Sequence, residues 1–195
     1  MGDRFQVIVD LDAGEADARR LAGRVLERLV AEGVVLAERT RCVPGQPLGH
    51  PPGPHWERAV TDDWDLAPSD GLAVHTRRTG FTSGADMPGA AHCPHCAAPT
   101  PLDDPDDPDD PDGATAWQRF STAMQTWHDT GAATVDCPAC ATAVPVQDWT
   151  WDEAPVALGH LGFEFWNWPD LTDGFRARLT ALLDGHRTAY VWGRF

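Results

Sequence analysis

The segment Leu158-Gly-His-Leu-Gly-Phe-Glu-Phe-Trp-Asn-Trp168 is the most strand-like stretch of the chain. Apolar side chains at positions 161, 163 and 165 alternate with a second set, which predicts a strand with two different faces. That second set is His160, Glu164, Trp166 and Trp168. Pro169 ends the strand, and Thr172 is a suitable cap for a helix that Gly185 ends. Residues 188–195 then predict a further strand, so the C-terminal region has the order strand–helix–strand.

The first 42 residues have the same order. Residues 5–11 alternate as a half-buried strand, residues 15–32 form an amphipathic helix, and residues 34–41 predict a second strand. Two such units of matching length predict an α+β fold, a ferredoxin-like split βαβ sandwich built from residues 1–42 and 156–195. Two separate domains, or a different mixed sheet, are the alternatives.

The residues between these units form a long insertion. Residues 43–90 are a Pro/Gly-rich connector with a short strand expected at 72–77, and residues 91–155 form a separate module. The module contains an acidic Asp/Pro loop at 103–113 and a short helix at 114–129. Proline at the ligand positions and the missing closing glutamate exclude an EF-hand calcium loop. An extended, solvated loop is expected instead.

Four of the five cysteines stand in two C-P-x-C pairs, Cys93 with Cys96 and Cys137 with Cys140. Two thiolates separated by two residues can bind one ion from a tight turn, and a second such turn completes a tetrahedral shell. The pairs resemble the two knuckles of zinc-ribbon proteins, although Ala97 and Ala141 stand where such knuckles often carry glycine. The resemblance implies one structural Zn²⁺ and a ribbon module inserted into the ferredoxin-like framework. Cys42 is expected to be a buried bystander.

Two other interpretations of these cysteines are weaker. Cys-Pro-His-Cys also occurs in thiol oxidoreductases, but there it opens a helix, and residues 97–101 with two prolines cannot start one cleanly. The deaminase signature requires a proline before the cysteine pair, where His92 and Asp136 stand. Each interpretation would also leave one cysteine pair unused. His92 and His95 are expected to influence the thiolates without replacing them as ligands.

The net charge of the chain restricts its possible partners, and its N-terminal sequence bears on where in the cell it is expected. The 195 residues carry 15 Lys+Arg, all of them arginine, against 30 Asp+Glu, for a net charge of −15. This charge disfavours nucleic acid and anionic membranes as partners. Seven of the aspartates lie in the 103–113 loop, and without them the net charge would be −8 (−15 + 7). No signal peptide or membrane-spanning stretch is visible, so we expect a cytoplasmic protein.

The face of the predicted sheet away from its helices is expected either to be buried by the inserted ribbon or to serve as the binding surface for a partner or ligand. Alternation places several aromatic and polar side chains there, namely His160, Glu164, Trp166, Trp168, Tyr190, Trp192 and Arg194. Aromatic residues with arginine are enriched at protein interfaces. The leading hypothesis is a non-enzymatic zinc-binding adaptor or inhibitor of another protein, for example a neutraliser of a basic toxin.

Two alternatives to this hypothesis stay open. The first is an enzyme or small-molecule binder with a pocket on the tryptophan-rich face. The second is a nucleic-acid binder that uses the ribbon, for which Arg77, Arg78 and Arg119 would be the cations.

Overall fold

The structure, a computed structural model, describes residues 2–45, 48–61, 67–84, 87–102, 111–152 and 154–194, with backbone only for 111–114. The described chain is mixed α and β, as the predicted α+β class requires, and it divides into two compact units. Unit 1 comprises residues 1–79 and 159–195, and unit 2 comprises residues 80–158. Most of the predicted acidic loop, residues 103–110, lies outside the described residues.

The chain contains three α-helices, eleven strands and two short 3₁₀ helices within these ranges. The α-helices are α1 (Glu15–Ala31), α2 (Pro111–Thr130) and α3 (Asp173–Ala181). The strands of unit 1 are β1 (Arg4–Asp10), β2 (Leu72–His75), β10 (Leu161–Trp166) and β11 (Thr188–Arg194). The strands of unit 2 and its boundary are β3 (Thr79–Phe81), β4 (Ala90–His92), β5 (Pro99–Pro101), β6 (Thr134–Asp136), β7 (Ala143–Pro145), β8 (Thr150–Trp151) and β9 (Ala157–Gly159). The 3₁₀ helices are Trp56–Ala59 and Val146–Asp148.

Unit 1 is built on a four-stranded antiparallel sheet in the order β11-β1-β10-β2. The predicted segment 158–168 supplies β10, one of the two central strands, and its alternating apolar residues enter the main core. That core joins one sheet face to α1 and α3 through large buried side chains such as Leu21, Phe163, Phe165 and Phe175. Thr172 caps α3 as predicted, because its side chain accepts a hydrogen bond from Phe175 N at 3.1 Å.

The prediction of a strand at residues 34–41 is wrong. This segment makes only isolated bridges, Val35 with Pro52 and Thr40 with Gly49. Val34 and Val35 are buried in the core, so packing accounts for their apolar pattern without a ladder. The strand beside β10 is instead β2, which lies within the predicted connector and pairs Leu72 with Phe165.

The predicted common face of the sheet is also wrong, because the strand register divides its residues. Tyr190 and Trp192 stand opposite Ile8 and Gln6, on the face that packs against the helices. Glu164 stands opposite Val7 and therefore belongs to the other face. Directly opposed residues of an antiparallel pair project to the same side. The two groups therefore cannot form one continuous surface.

Unit 2 has its own apolar core beneath α2. Four large apolar side chains at helical spacing lie on one side of this helix and pack in that core, namely Trp117, Phe120, Met124 and Trp127. The ring of Phe120 meets the rings of Trp149 and Trp151 edge-on, with centroids 4.8 Å and 5.2 Å apart. Cys93 and Cys137 belong to the same core. The apolar packing therefore holds the first cysteine of each pair in place.

Candidate metal centre

Each C-P-x-C pair lies at the tip of a short antiparallel hairpin. Strands β4 and β5 flank the first pair, and β6 and β7 flank the second. In both loops the N–H of the fifth residue donates to the carbonyl of the first cysteine, Ala97 to Cys93 at 2.8 Å and Ala141 to Cys137 at 2.9 Å. The two loops are therefore copies of one turn, and each directs two sulfurs to one side.

The turn requires a left-handed residue directly after the second cysteine. Ala97 has φ 58° and Ala141 has φ 57°, the region that glycine adopts most easily. These are the two positions at which zinc-ribbon knuckles often carry glycine, as noted from the sequence. Alanine therefore adopts the glycine conformation here, at a cost of about 1–2 kcal/mol per residue.

The four sulfurs form one compact group, with every pair within 4.8 Å. Cys93 Sγ lies 3.9 Å from Cys140 Sγ, and Cys96 Sγ lies 3.7 Å from Cys137 Sγ. A tetrahedral ion with Zn–S bonds of about 2.3 Å requires sulfur–sulfur edges of about 3.8 Å. The two cross-hairpin distances match this edge, so the four cysteines could hold one metal ion.

The site is half embedded in the protein. Cys93 and Cys137 are 2% and 1% exposed, whereas Cys96 and Cys140 lie at the surface. One side of a bound ion would therefore face the core, and the other would be reached from solvent. With four thiolates the coordination shell is complete, and no position remains for a reacting water molecule.

The pKa values of the exposed thiols move in opposite directions. The side chain of Thr142, 3.4 Å from Cys140 Sγ, and its backbone N–H lower the pKa of Cys140 to about 6. The N–H of Ala98 lowers the pKa of Cys96, but desolvation and the neighbouring thiols outweigh it and raise this pKa to about 12. Without a cation the cluster cannot carry four negative charges. A bound dication favours the thiolate at every position.

The two histidines beside the first pair are not among the four clustered ligands. His92 Nε2 lies 2.8 Å from Asp152 Oδ1. His95 is exposed within the loop. Cys42, the fifth cysteine, belongs to unit 1 and lies outside the cluster.

The residues predicted to bind a partner lie in four different environments. Glu164 and Trp166 are buried on one sheet face, where Glu164 Oε2 lies 2.8 Å from His75 Nε2. Trp168 is fully buried in the main core and donates from Nε1 to the Asp70 carbonyl at 3.0 Å. His160 is half-buried, and burial together with the Arg78 charge lowers its pKa. Tyr190, Trp192 and Arg194 are brought together, on the helix-bearing face.

Two groups of polar residues were not predicted. Asp10 is fully buried and accepts from the N–H groups of Asp12 and Ala13, while its Oδ2 lies 2.9 Å from His186 Nδ1. Arg4, Gln6 and Arg176 line a groove together with Tyr190 and Trp192. Strand alternation indicated the face of Gln6, but only the register between β1 and β11 brings these side chains together.

Comparison of the chain with family models, with curated proteins and with solved structures gives no match. Within the described ranges, no helix is both long and apolar enough to cross a membrane. The site must therefore be interpreted from its own chemistry.

Replacing Ala97 or Ala141 by glycine is expected to stabilise unit 2. Glycine removes the cost of the left-handed conformation, about 1–2 kcal/mol. Its greater conformational freedom in the unfolded chain offsets about 0.4–1 kcal/mol of that gain. A net gain of about 0.5 kcal/mol per position should appear in urea unfolding with zinc present. Ala139→Gly is the matched control in the same loop, and it should lose stability. Equal losses in all three variants would contradict the proposed turn strain.

Proposed function

We propose that this chain is a zinc-binding protein whose metal has a structural role. The observation that carries the proposal is the group of four sulfurs with tetrahedral spacing, contributed by two matching hairpin loops. Thiolate sulfur in a four-coordinate arrangement is typical of structural zinc. The metal would join the two hairpins and so stabilise the small core of unit 2, in which Cys93 and Cys137 are buried.

The finer form of this proposal is a zinc ribbon inserted into a ferredoxin-like framework. The paired hairpins and their loops support the ribbon. The connections β1–α1–β2 and β10–α3–β11, with β1 and β10 side by side, support two βαβ units in one sheet. The proposed ferredoxin-like domain of residues 1–42 and 156–195 would take its fourth strand, β2, from the proposed 43–90 connector, and residues 91–155 would form the inserted ribbon.

Elemental analysis of the purified chain is expected to find one zinc ion per chain, because a single four-thiolate group is present among the described residues. Reconstitution with cobalt should give the visible absorption of tetrahedral thiolate coordination. Iron at one equivalent would instead indicate electron transfer and would contradict the structural zinc. Less than a tenth of an equivalent of any metal, after purification without chelators, would also contradict it.

We further propose that the protein acts without catalysis, as a cytoplasmic adaptor or inhibitor that binds a basic protein partner. The net charge of −15 supports this class of partner, and the acidic 103–113 segment supplies seven of the negative charges. Such a field accelerates encounter with a cationic surface and repels polyanions. A coordination shell with no open position supports a non-catalytic metal.

The electrostatic part of this proposal is tested with cytochrome c as a basic probe protein. Complex formation should weaken by more than about tenfold between about 20 mM and about 200 mM salt, because mobile ions screen exposed charges. Replacing the seven aspartates of residues 103–112 by asparagine should remove about half of that salt dependence. Glu15→Gln combined with Glu27→Gln removes two negative charges from α1, and its effect per charge is compared with that of the aspartate variants. An affinity for the probe protein that changes neither with salt concentration nor with replacement of the aspartates would overturn the electrostatic argument.

A further inference from the structure

Strand β11 forms an open edge of the unit 1 sheet. The strand order is β11-β1-β10-β2, so β11 and β2 are the two edges. The chain covers the β2 edge itself, because His50 and Leu72 exchange two backbone hydrogen bonds of 2.9 Å and 2.8 Å. Among the described residues, no segment pairs with the outer edge of β11. Such an edge can pair with a strand of another chain.

Alternate residues of β11 direct their backbone groups outward, away from β1. Leu11 N donates to the Arg187 carbonyl at 3.0 Å, which places the backbone groups of residue 187 on the β1 side. In an antiparallel strand the N–H and C=O groups of alternate residues point to opposite sides. Residues 189, 191 and 193 therefore face β1. The outward-facing residues are Thr188, Tyr190, Trp192 and Arg194.

Strand β11 lacks the features by which edge strands usually avoid pairing with other chains. Its sequence, Thr-Ala-Tyr-Val-Trp-Gly-Arg, contains no proline, and its one charged residue is the last, Arg194. All seven residues keep a regular register with β1, without a bulge. Proline, bulges and charged side chains within the strand are the usual protections. The outer edge of β11 is therefore suited to a partner strand.

The sequence of β11 is self-complementary when two copies run antiparallel. On either side of Val191 it has an aromatic residue, then a small residue, then a polar residue. A two-fold axis through Val191 would thus place Tyr190 opposite Trp192 of the second copy, and Ala189 opposite its Gly193. Directly opposed aromatic residues stabilise a sheet. In this register outward-facing residues oppose one another, and four such pairs with two bonds each give up to about eight hydrogen bonds.

A groove between α3 and β11 provides a place for the indole of a second copy. This α3–β11 groove has a volume of about 350 Å³, and its lining includes Ala177 and Thr180 of α3 and Tyr190 of β11. Trp192 is 49% exposed and lies on the same helix-bearing face. In the register about Val191, the second copy's Trp192 lies beside this groove. Tryptophan residues that fill a partner's pocket are frequent anchors of protein interfaces.

We propose that two copies of this chain associate through β11 and join their unit 1 sheets into one sheet of eight strands, four from each copy. Each copy would place Trp192 in the α3–β11 groove of the other, so that both contribute the same surface. An extended segment of a different protein could pair with the same edge. The self-complementary order of β11 favours a second copy. This interface lies within unit 1, apart from the four cysteines.

The net charge of the chain opposes this association and makes it salt-dependent. Two chains of charge −15 repel each other, and one strand from each copy gives a small interface. We therefore expect a dimer Kd of about 10–100 µM. The dimer should become tighter between about 20 mM and about 200 mM salt, because mobile ions screen the repulsion. Binding of cytochrome c is expected to weaken over the same range, so the two proposals can fail separately.

Sedimentation of the full, zinc-loaded chain under reducing conditions, from about 1 µM to about 500 µM, tests the dimer. The mass should rise from one chain to two. Trp192→Ala should weaken the dimer by about tenfold or more, since the anchor is lost. Trp192→Pro also removes an outward N–H, and it should abolish the dimer in this range while keeping the ladder with β1. Leu36→Ala is the matched control, because Leu36 is 44% exposed in unit 1 outside β11, and it should change the Kd by less than about twofold.

Amide hydrogen exchange followed by NMR locates the interface. The amides of Tyr190 and Trp192 should exchange rapidly in the monomer and become protected in the dimer. The Val191 amide faces β1 and should be protected in both. A chain that stays monomeric up to about 500 µM would overturn the proposal. A dimer that leaves the Tyr190 and Trp192 amides unprotected, or that Trp192→Ala weakens no more than Leu36→Ala does, would also overturn it.

Discussion

Cys137→Ser is expected to remove the metal and to unfold unit 2 while unit 1 keeps its structure. Cys137 is 1% exposed and belongs to both the sulfur cluster and the core of unit 2. Loss of a residue that only supports a metal ligand usually lowers metal affinity by about 10- to 100-fold. Loss of the ligand itself should lower zinc affinity by more than that. The free energy of binding a structural zinc ion also contributes to the free energy of folding. The two hairpins should therefore unfold when the zinc is lost.

Hydrogen exchange followed by mass spectrometry measures this result by region. Protection should fall across residues 80–158 and should change little in β1, β10 and β11. Cys42→Ser is the matched control, since Cys42 lies in unit 1 and outside the cluster. It should keep one zinc per chain. A uniform loss of protection in both units would contradict the independent stability of unit 1, and full zinc retention in Cys137→Ser would contradict the ligand set.

The sequence predicted the four-cysteine cluster more completely than the rest of the molecule, because the geometry of each cysteine pair is local. A C-P-x-C pair defines one turn within five residues. Only the close approach of the two turns therefore depends on the rest of the fold. The hydrogen bonds from Ala97 to Cys93 and from Ala141 to Cys137 are of this local kind. The same locality explains the agreement for the Thr172 cap of α3.

The second strand could not be predicted in this way, because strand pairing depends on distant partners. Residues 34–41 and 72–75 both present apolar residues to the core, and only the second group forms a ladder with β10. Val35 bridges to Pro52. Proline lacks the N–H that a ladder needs, so Pro51 and Pro52 prevent an extended pairing at this place.

The faces of the sheet were predicted wrongly for a related reason. Alternation is correct within β10 and within β11, but it does not say which residue of one strand faces which residue of another. The observed register pairs Ile8 with both Phe163 and Tyr190. Tyr190 therefore shares the face of Phe163, and the groove that Tyr190 lines together with Arg4 was not visible from alternation alone.

Trp168 departs from the alternation because the strand ends before it. β10 finishes at Trp166, and Asn167 has φ 53°, in the left-handed region. Asn167 is held there by its side chain, whose Oδ1 accepts from Arg4 N at 2.9 Å and whose Nδ2 donates to Asp70 Oδ2 at 2.7 Å. Beyond this turn Trp168 enters the main core.

Trp168→Ala is therefore expected to destabilise unit 1 by about 3–5 kcal/mol, the usual cost of truncating a large buried aromatic side chain. The indole is fully buried, meets the Phe165 ring edge-on at 5.2 Å and donates to the Asp70 carbonyl. The change removes this packing and leaves that carbonyl without its donor. For a protein of this size the melting temperature should fall by about 10 °C or more.

Trp192→Ala is the matched control, because it deletes the same side chain from a position that is 49% exposed. It should change the free energy of unfolding by less than about 1 kcal/mol, since substitutions at exposed positions usually have small effects. Trp168→Phe separates the two contributions at the buried site. It keeps a ring against Phe165 but loses the hydrogen bond to Asp70 and part of the buried volume of the indole, so about 1–3 kcal/mol should be lost. Hydrogen-exchange protection of β1 and β10 reports the stability of unit 1 by itself in each of the three variants. Equal stability of Trp168→Ala and Trp192→Ala would mean that Trp168 belongs to an exposed binding surface, as its place in the sequence alternation had indicated.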